Sequence, residues 1–220
     1  MSSVIIAGDT SGTVTLQAPA VAGSTVLTLP AVTGNIPVSS YTAYTGGITP
    51  NTLMYRLNAD LAGANATGAQ SIFGVGVTLL ASTQYEFETV FVLAKTAGTT
   101  SHTVSIGFGG TATLNNIIWN AVGAMSAQAL PFYGTGGAST ILAVSNSNAA
   151  LVTSGARTSA IDTYQITVRG SVSINAGGTF TPQYTLSAAP GGAYSTVAGS
   201  YMKISPISAS GSNTIIGTWA

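Results

Sequence analysis

Two glutamates in "QYEFETVFVLAK", Glu86 and Glu88, stand at i and i+2. On a strand that spacing puts both carboxylates on one face, roughly 7 Å apart. The separation suits an inverting glycosidase, which needs room for a water between its acid and its base. A plainer reading is a solvent-facing strand surface opposite Tyr85, Phe87 and Phe91, and Asp60 or Asp162 could join the pair only through the fold. His102, the one histidine, begins the apolar set of "SHTVSIGFGG". As a catalytic base it would need a serine nucleophile and an orienting acid, but serines are too abundant here for their presence to mean anything. A buried or interface-bound histidine is the expectation. With 1 His and 0 Cys, a His-based metal cage within one chain and any thiol chemistry are excluded.

The glycine-rich "GFGGTATLNN", Gly107 to Asn116, lacks the lysine of a phosphate-binding loop and reads as a hairpin turn with close backbone approach. Asp9 in "AGDTSG" suits a turn cap, and an isolated acid is a poor calcium site. No cofactor is expected, and no catalytic or metal-ligating residue is assigned. The chain reads as a non-enzyme. Trp119, Tyr133, Tyr194 and Trp219, with Tyr41, Tyr44 and Tyr201, would stack on sugar rings if they gathered in an exposed groove. Core or subunit-interface packing explains the same rings. Arg169 projects from the polar side of a long strand and is expected to pair with one of the few acids, within the chain or across subunits.

These residues must be positioned by strands. In "DTYQITVRGSVSI", Tyr164, Ile166, Val168, Val172 and Ile174 alternate with Thr163, Gln165, Thr167, Arg169, Ser171 and Ser173, which predicts one-sided burial. Tyr85, Phe87, Phe91 and Leu93 form one such face, and His102, Val104, Ile106 and Phe108 another. With "GTTS" between them, the two segments read as an antiparallel hairpin. "NAGG", Asn175 to Gly178, turns the chain into a strand with Phe180, Tyr184 and Leu186 inward. Weaker strand signals fall at 53–57, 75–79, 114–119, 141–144, 201–204 and 214–219. "DLAGANATGAQ", Asp60 to Gln70, reads as a loop, and no stretch carries a helical period. Roughly ten short strands separated by turns suit an all-β sandwich or jelly roll.

Residues 1–38 differ. Val4 and Ile6, Val14 and Leu16, and Val26 and Leu29 are apolar pieces too sparse to make a core of their own, and Pro19, Pro30 and Pro37 exclude a helix through the region. They read as an extended β arm that docks on something else. A connector at 39–52 separates it from a head at 53–220.

In 220 residues there are only 5 Lys+Arg and 5 Asp+Glu, a charged fraction of 5%, where a soluble domain has about 25%. So little charge protects a free monomer poorly against association and suits a subunit whose surface is covered in an assembly. A net charge of +0 without a basic cluster disfavours nucleic acid as a partner. No apolar run reaches the ~20 residues of a membrane span, so no membrane insertion is expected. The opening "MSSVIIAGDTSG" lacks the features of a signal peptide, which predicts synthesis in the cytosol.

"AGDTSGTVTLQAPAVAGSTVLTLPAVTGN" resembles an N-terminal segment of virion-surface and fibre proteins of tailed phages, including phages of cyanobacteria. "NADLAGANATGAQSIFGVGVTL", "AGTTSHTVSIGFGGTATLNNI" and "YMKISPISASGSNTIIGTWA" resemble the globular part of the same proteins. The resemblance implies a phage structural protein, assembled in the host cytoplasm and placed on the virion surface, with a trimeric, tumour-necrosis-factor-like jelly-roll head. Taken with the sparse charge and the coreless arm, it leads to a homotrimeric capsid decoration or cement protein. The expected partners are other copies of the chain and virion proteins such as the major capsid protein. The alternative is a receptor-binding fibre or tail tip that recognises a host-surface glycan.

Overall fold

The computed structural model describes residues 3–7, 13–17, 52–127 and 139–211. The chain divides into two compact units, Met1–Ser39 and Ser40–Ala220. In the first, β1 (Ser3–Ala7) and β2 (Thr13–Gln17) form an antiparallel ladder with Val4 opposite Leu16 and Ile6 opposite Val14. The two segments pair with each other, where the sequence suggested strands in search of a partner sheet. Val26 and Leu29 lie outside the described residues.

The second unit is all-β, with no helix among the described residues and two antiparallel sheets. In the larger sheet β10 (Ser139–Ser145), β9 (Thr113–Ser126), β12 (Asp162–Ala176) and β7 (Thr83–Lys95) run side by side. The far side of β7 is shared by β14 (Ser195–Thr196) and β15 (Tyr201–Ala209); β4 (Leu61–Ala62) continues beyond β14, and β3 (Leu53–Arg56) beyond β15. The smaller sheet runs β11 (Leu151–Val152), β8 (Val104–Gly109), β13 (Gly178–Leu186), with β5 (Gln70–Ser71) and β6 (Val77–Leu79) sharing the far side of β13.

Period-two patterning decides which side of each strand is buried. Along β7 the alternate residues from Thr83 to Lys95 are buried, and β12 buries Tyr164, Ile166, Val168, Val172 and Ile174. The inner faces of the two sheets meet through aromatic rings. Phe87 of β7 lies 5.1 Å from Phe108 of β8 and 5.6 Å from Phe180 of β13; Phe108 stacks on Phe180 at 4.8 Å and meets Trp119 of β9 edge-on at 5.6 Å. The inward series of β12 is interrupted by Gly170, opposite Phe87 on one side and Trp119 on the other. A Cβ there would stand 2.2 Å from Ile118 O, 2.8 Å from Phe87 Cζ and 2.8 Å from Trp119 Cβ, so the missing side chain is what lets the β9 backbone and the Phe87 ring approach so closely.

Two expected hairpins are instead crossings between sheets. β7 and β8 belong to different sheets and face each other across the core. The "GFGG" turn also leads from β8 in the smaller sheet to β9 in the larger, through Gly110 at φ 114°. "NAGG" carries the chain between sheets as well, from β12 to β13. The Asp60 to Gln70 stretch contains bends and the short β4, as its loop-like composition suggests.

Candidate functional site

Most charged side chains of the described head gather in two places, with Arg56 bonded to Asn58 and Asp60 to the Ala198 backbone apart from them. The first is interior. Lys95 continues the inward phase of Leu93 at the end of β7, and Asp162 holds the inward phase of Tyr164 at the start of β12; the register sets them opposite each other. Both are buried. Arg157, on the segment before β12, donates from Nε (2.9 Å) and Nη2 (2.5 Å) to Asp162 Oδ1. The Tyr194 hydroxyl donates to Asp162 Oδ2 at 3.2 Å and stands 2.8 Å from His102 Nε2. His102 Nδ1 lies 2.8 Å from Thr100 O, and because a carbonyl only accepts, Nδ1 carries a proton. Lys95 Nζ donates to the carbonyls of Gly98 (2.8 Å), Ala97 (3.4 Å) and Ser159, tying together the segments that follow β7 and precede β12.

The electrostatics follow from burial. Desolvation lowers the Lys95 pKa, with the nearby Asp162 carboxylate opposing the shift and Arg157 adding to it. The hydrogen bond from Arg157 to Asp162 raises the arginine's pKa. Tyr194 is raised far above an ordinary phenol, by burial first and then by Tyr164 and Asp162, and Tyr184 is pushed up to about 12 by burial alone. The network is occupied with itself. Both His102 ring nitrogens are engaged by Thr100 and Tyr194, so neither is free to activate a serine, and none of the cluster lines the two cavities described below. Its chemistry is that of a polar clamp at one end of the sandwich.

The second place is the outer face of the larger sheet, where one row crosses three strands. Arg169 of β12, Glu88 of β7 and Lys203 of β15 stand in register. Arg169 approaches Glu88 Oε2 at 2.8 Å through both Nε and Nη2, Lys203 Nζ lies 3.1 Å from Oε1, and the Tyr201 hydroxyl donates to Oε1 at 3.0 Å. The acid expected to pair with Arg169 is therefore Glu88, within the chain. Glu86 is exposed one step along the strand. Together with Thr52, Arg169, Lys203 and Ser205, the two glutamates line a depression of about 440 Å³. Hydrogen bonds from Lys203 and Tyr201 lead in holding the Glu88 pKa below 4.5, and Arg169 adds to them against a desolvation penalty. A carboxylate so donated to is a poor proton donor, which weakens the glycosidase reading of the pair.

This setting has a consequence for acid stability. A depressed carboxylate stabilises the fold above its ordinary value of 4.5, and that contribution is lost as the pH falls through the lower folded value. Glu88→Gln should therefore lower stability by about 1 kcal/mol at neutral pH and remove part of the acid-side decline. Urea midpoints from pH 7 down to pH 3 check this, and parallel curves for the variant and the parent would contradict it.

The proposed ring-stacking residues fare differently. Trp119 and Tyr194 are 1% and 0% exposed, so neither offers a face to a sugar or a subunit, and their assignment as glycan or interface aromatics is corrected to core packing. Trp119 Nε1 donates to Ser147 O at 2.8 Å, and Tyr194 sits among His102, Tyr164 and Tyr184. Tyr133 and Trp219 lie outside the described residues. The interior cluster was not assembled from sequence. Its legible signal was a pair of opposite charges, Lys95 and Asp162, each at the inward phase of an otherwise apolar alternation. Among the described residues no group of His, Asp and Glu side chains is arranged to hold a metal ion. Compared with known proteins, the chain matches no family model, no curated protein and no solved structure.

Proposed function

We propose that this chain is a structural protein of a tailed-phage virion: a homotrimeric decoration or cement protein on the capsid exterior, with a jelly-roll head and docked through residues 1–38. The observation that carries the reading is the surface of the head. In a chain with 5% charged residues, Leu142, Val144, Met54 and Ile118 are 75%, 67%, 58% and 57% exposed. A free monomer gains nothing from such a surface, whereas a subunit of a particle buries it. Strand order supports the jelly roll. With the β9–β10 pair set aside, the larger sheet reads β3, β15, β7, β12 and the smaller β6, β13, β8, β11, the arrangement of two interleaved Greek keys. The β1–β2 ladder supports docking, since two strands alone are marginal in water.

Counting copies in purified virions tests the proposal. A decoration protein is expected in tens to hundreds of copies, and particles lacking it should release DNA at lower temperature. A few copies per particle, with free protein blocking adsorption to the host, would replace this reading with a receptor-binding tip.

A further inference from the structure

Most exposed large apolar residues of the described head cluster near two opposite edges of the larger sheet, with Leu80, Val152 and Ile161 elsewhere. At one edge is β10, which pairs only with β9 among the described strands. Its outward Leu142 lies opposite Val122 and its Val144 opposite Asn120, with Ile118 one step along β9. The edge carries none of the devices that usually protect one, such as a charge, a proline or a bulge. From Thr96 to Ala156 the sequence contains no Asp, Glu, Lys or Arg at all. At the other edge is β3, where the two sheets part over a groove of about 240 Å³. Leu53, Tyr55, Phe73, Val75 and Met202 line it, and none of its lining residues is charged.

We infer that these two surfaces bind each other between copies: the β9–β10 edge of one subunit seats Leu142 and Val144 in the β3–β6 groove of the next. The inference rests on the trimeric reading above. A ring of three requires a head-to-tail contact in which one surface meets a different one on its neighbour, and every copy here carries one of each. Symmetric pairing of β10 with β10 would leave both grooves open. No residue of β9 or β10 and none lining the groove is charged, and Arg56, at the far end of β3, lies outside that lining and is bonded to Asn58, so closure strands no ion at the seated residues. The outer edges of β10 and β3, neither of which pairs with a further described strand, meet across copies, where ladder hydrogen bonds can form. Four side chains do not supply the ~800 Å² per partner of a stable interface. The strand edges themselves, with the outward row Leu142, Val122, Thr167 and Val90, extend the contact.

The chain has 0 cysteines, so introduced thiols report unambiguously. Leu142→Cys and Val75→Cys are made separately in the full-length protein; both positions are exposed, at 75% and 47%. On oxidation, each variant alone should stay uncross-linked, while the two mixed should form a disulfide-linked dimer. Cross-linking of Leu142→Cys with itself would show symmetric pairing and overturn the inference. So would the absence of any disulfide between copies, as when a segment of the same chain fills the groove. Sedimentation of the parent protein and of L142K/V144K at micromolar concentration completes the test. A trimeric parent and a monomeric variant with unchanged β-sheet spectrum support the assignment. A variant that stays trimeric overturns this interface alone; a monomeric parent overturns the trimer reading with it.

Discussion

Asp162→Asn should destabilise the head by about 3–5 kcal/mol, the range for breaking a buried ion pair from one side. The substitution keeps the size of the side chain, so the loss reports charge and not a cavity. Asp162 is 0% exposed and faces an Arg157 side chain that is only 15% exposed, with the buried Lys95 opposite on β7. Asparagine leaves two cations in the interior without their anion, and its single amide oxygen can accept from Arg157 or from the Tyr194 hydroxyl but not replace both carboxylate oxygens. Part of the loss should be recovered in alkali. The Lys95 pKa is already lowered by burial, and the carboxylate is what opposes that shift. In the variant the amine should become neutral sooner, and stability should rise with pH in the window below 10.5. Tyr164→Phe is the control. Its buried hydroxyl makes no hydrogen bond of full geometry, with Tyr194 and Ser154 the nearest polar groups that act on it, so removing it should change stability by less than about 1 kcal/mol. Urea unfolding of the three proteins at pH 7 and pH 9.5 measures both effects. A cost under 1 kcal/mol for Asp162→Asn would mean that water reaches the cluster.

Trp119→Ala should cost about 3–5 kcal/mol, as deletion of a large buried aromatic does. For a chain of this length that corresponds to a fall in Tm on the order of 10 °C. The indole packs on Phe108 across the two sheets and donates to Ser147 O. Its removal opens a void between layers and takes from Ser147 O one of its two donors, leaving Ser145 Oγ at 3.2 Å. A sugar-stacking tryptophan at the surface would behave in the opposite way, losing ligand and keeping its melting point. Calorimetry of the variant decides between them, and an unchanged Tm would return Trp119 to the surface.

Side-chain alternation determined, from sequence alone, that the head is all-β and which residues of β7, β8, β12 and β13 face inward. Burial in a strand has a period of two, and that period is written residue by residue. Alternation is silent about what lies across the buried face. Phe87 and Phe108 read as neighbours on one side of a hairpin, yet they meet from opposite sheets. A strand's inner face looks the same whether its successor pairs beside it or crosses the core. Lys95, His102, Arg157, Asp162 and Tyr194 come from segments far apart in the chain, and only the register of β7 on β12 and the return of the chain past β13 close the clamp. Trp119 was ambiguous for a related reason: an aromatic ring suits a groove and a core equally well by type, and only the meeting of β9 with Phe108 of the other sheet puts it inside. Composition foretold sparse charge, but only the tertiary structure gathered most of it into one interior clamp and one outer row, leaving β9 and β10 uncharged and the groove beside β3 lined by uncharged residues, because pairing energy depends on distance and burial that no local pattern encodes.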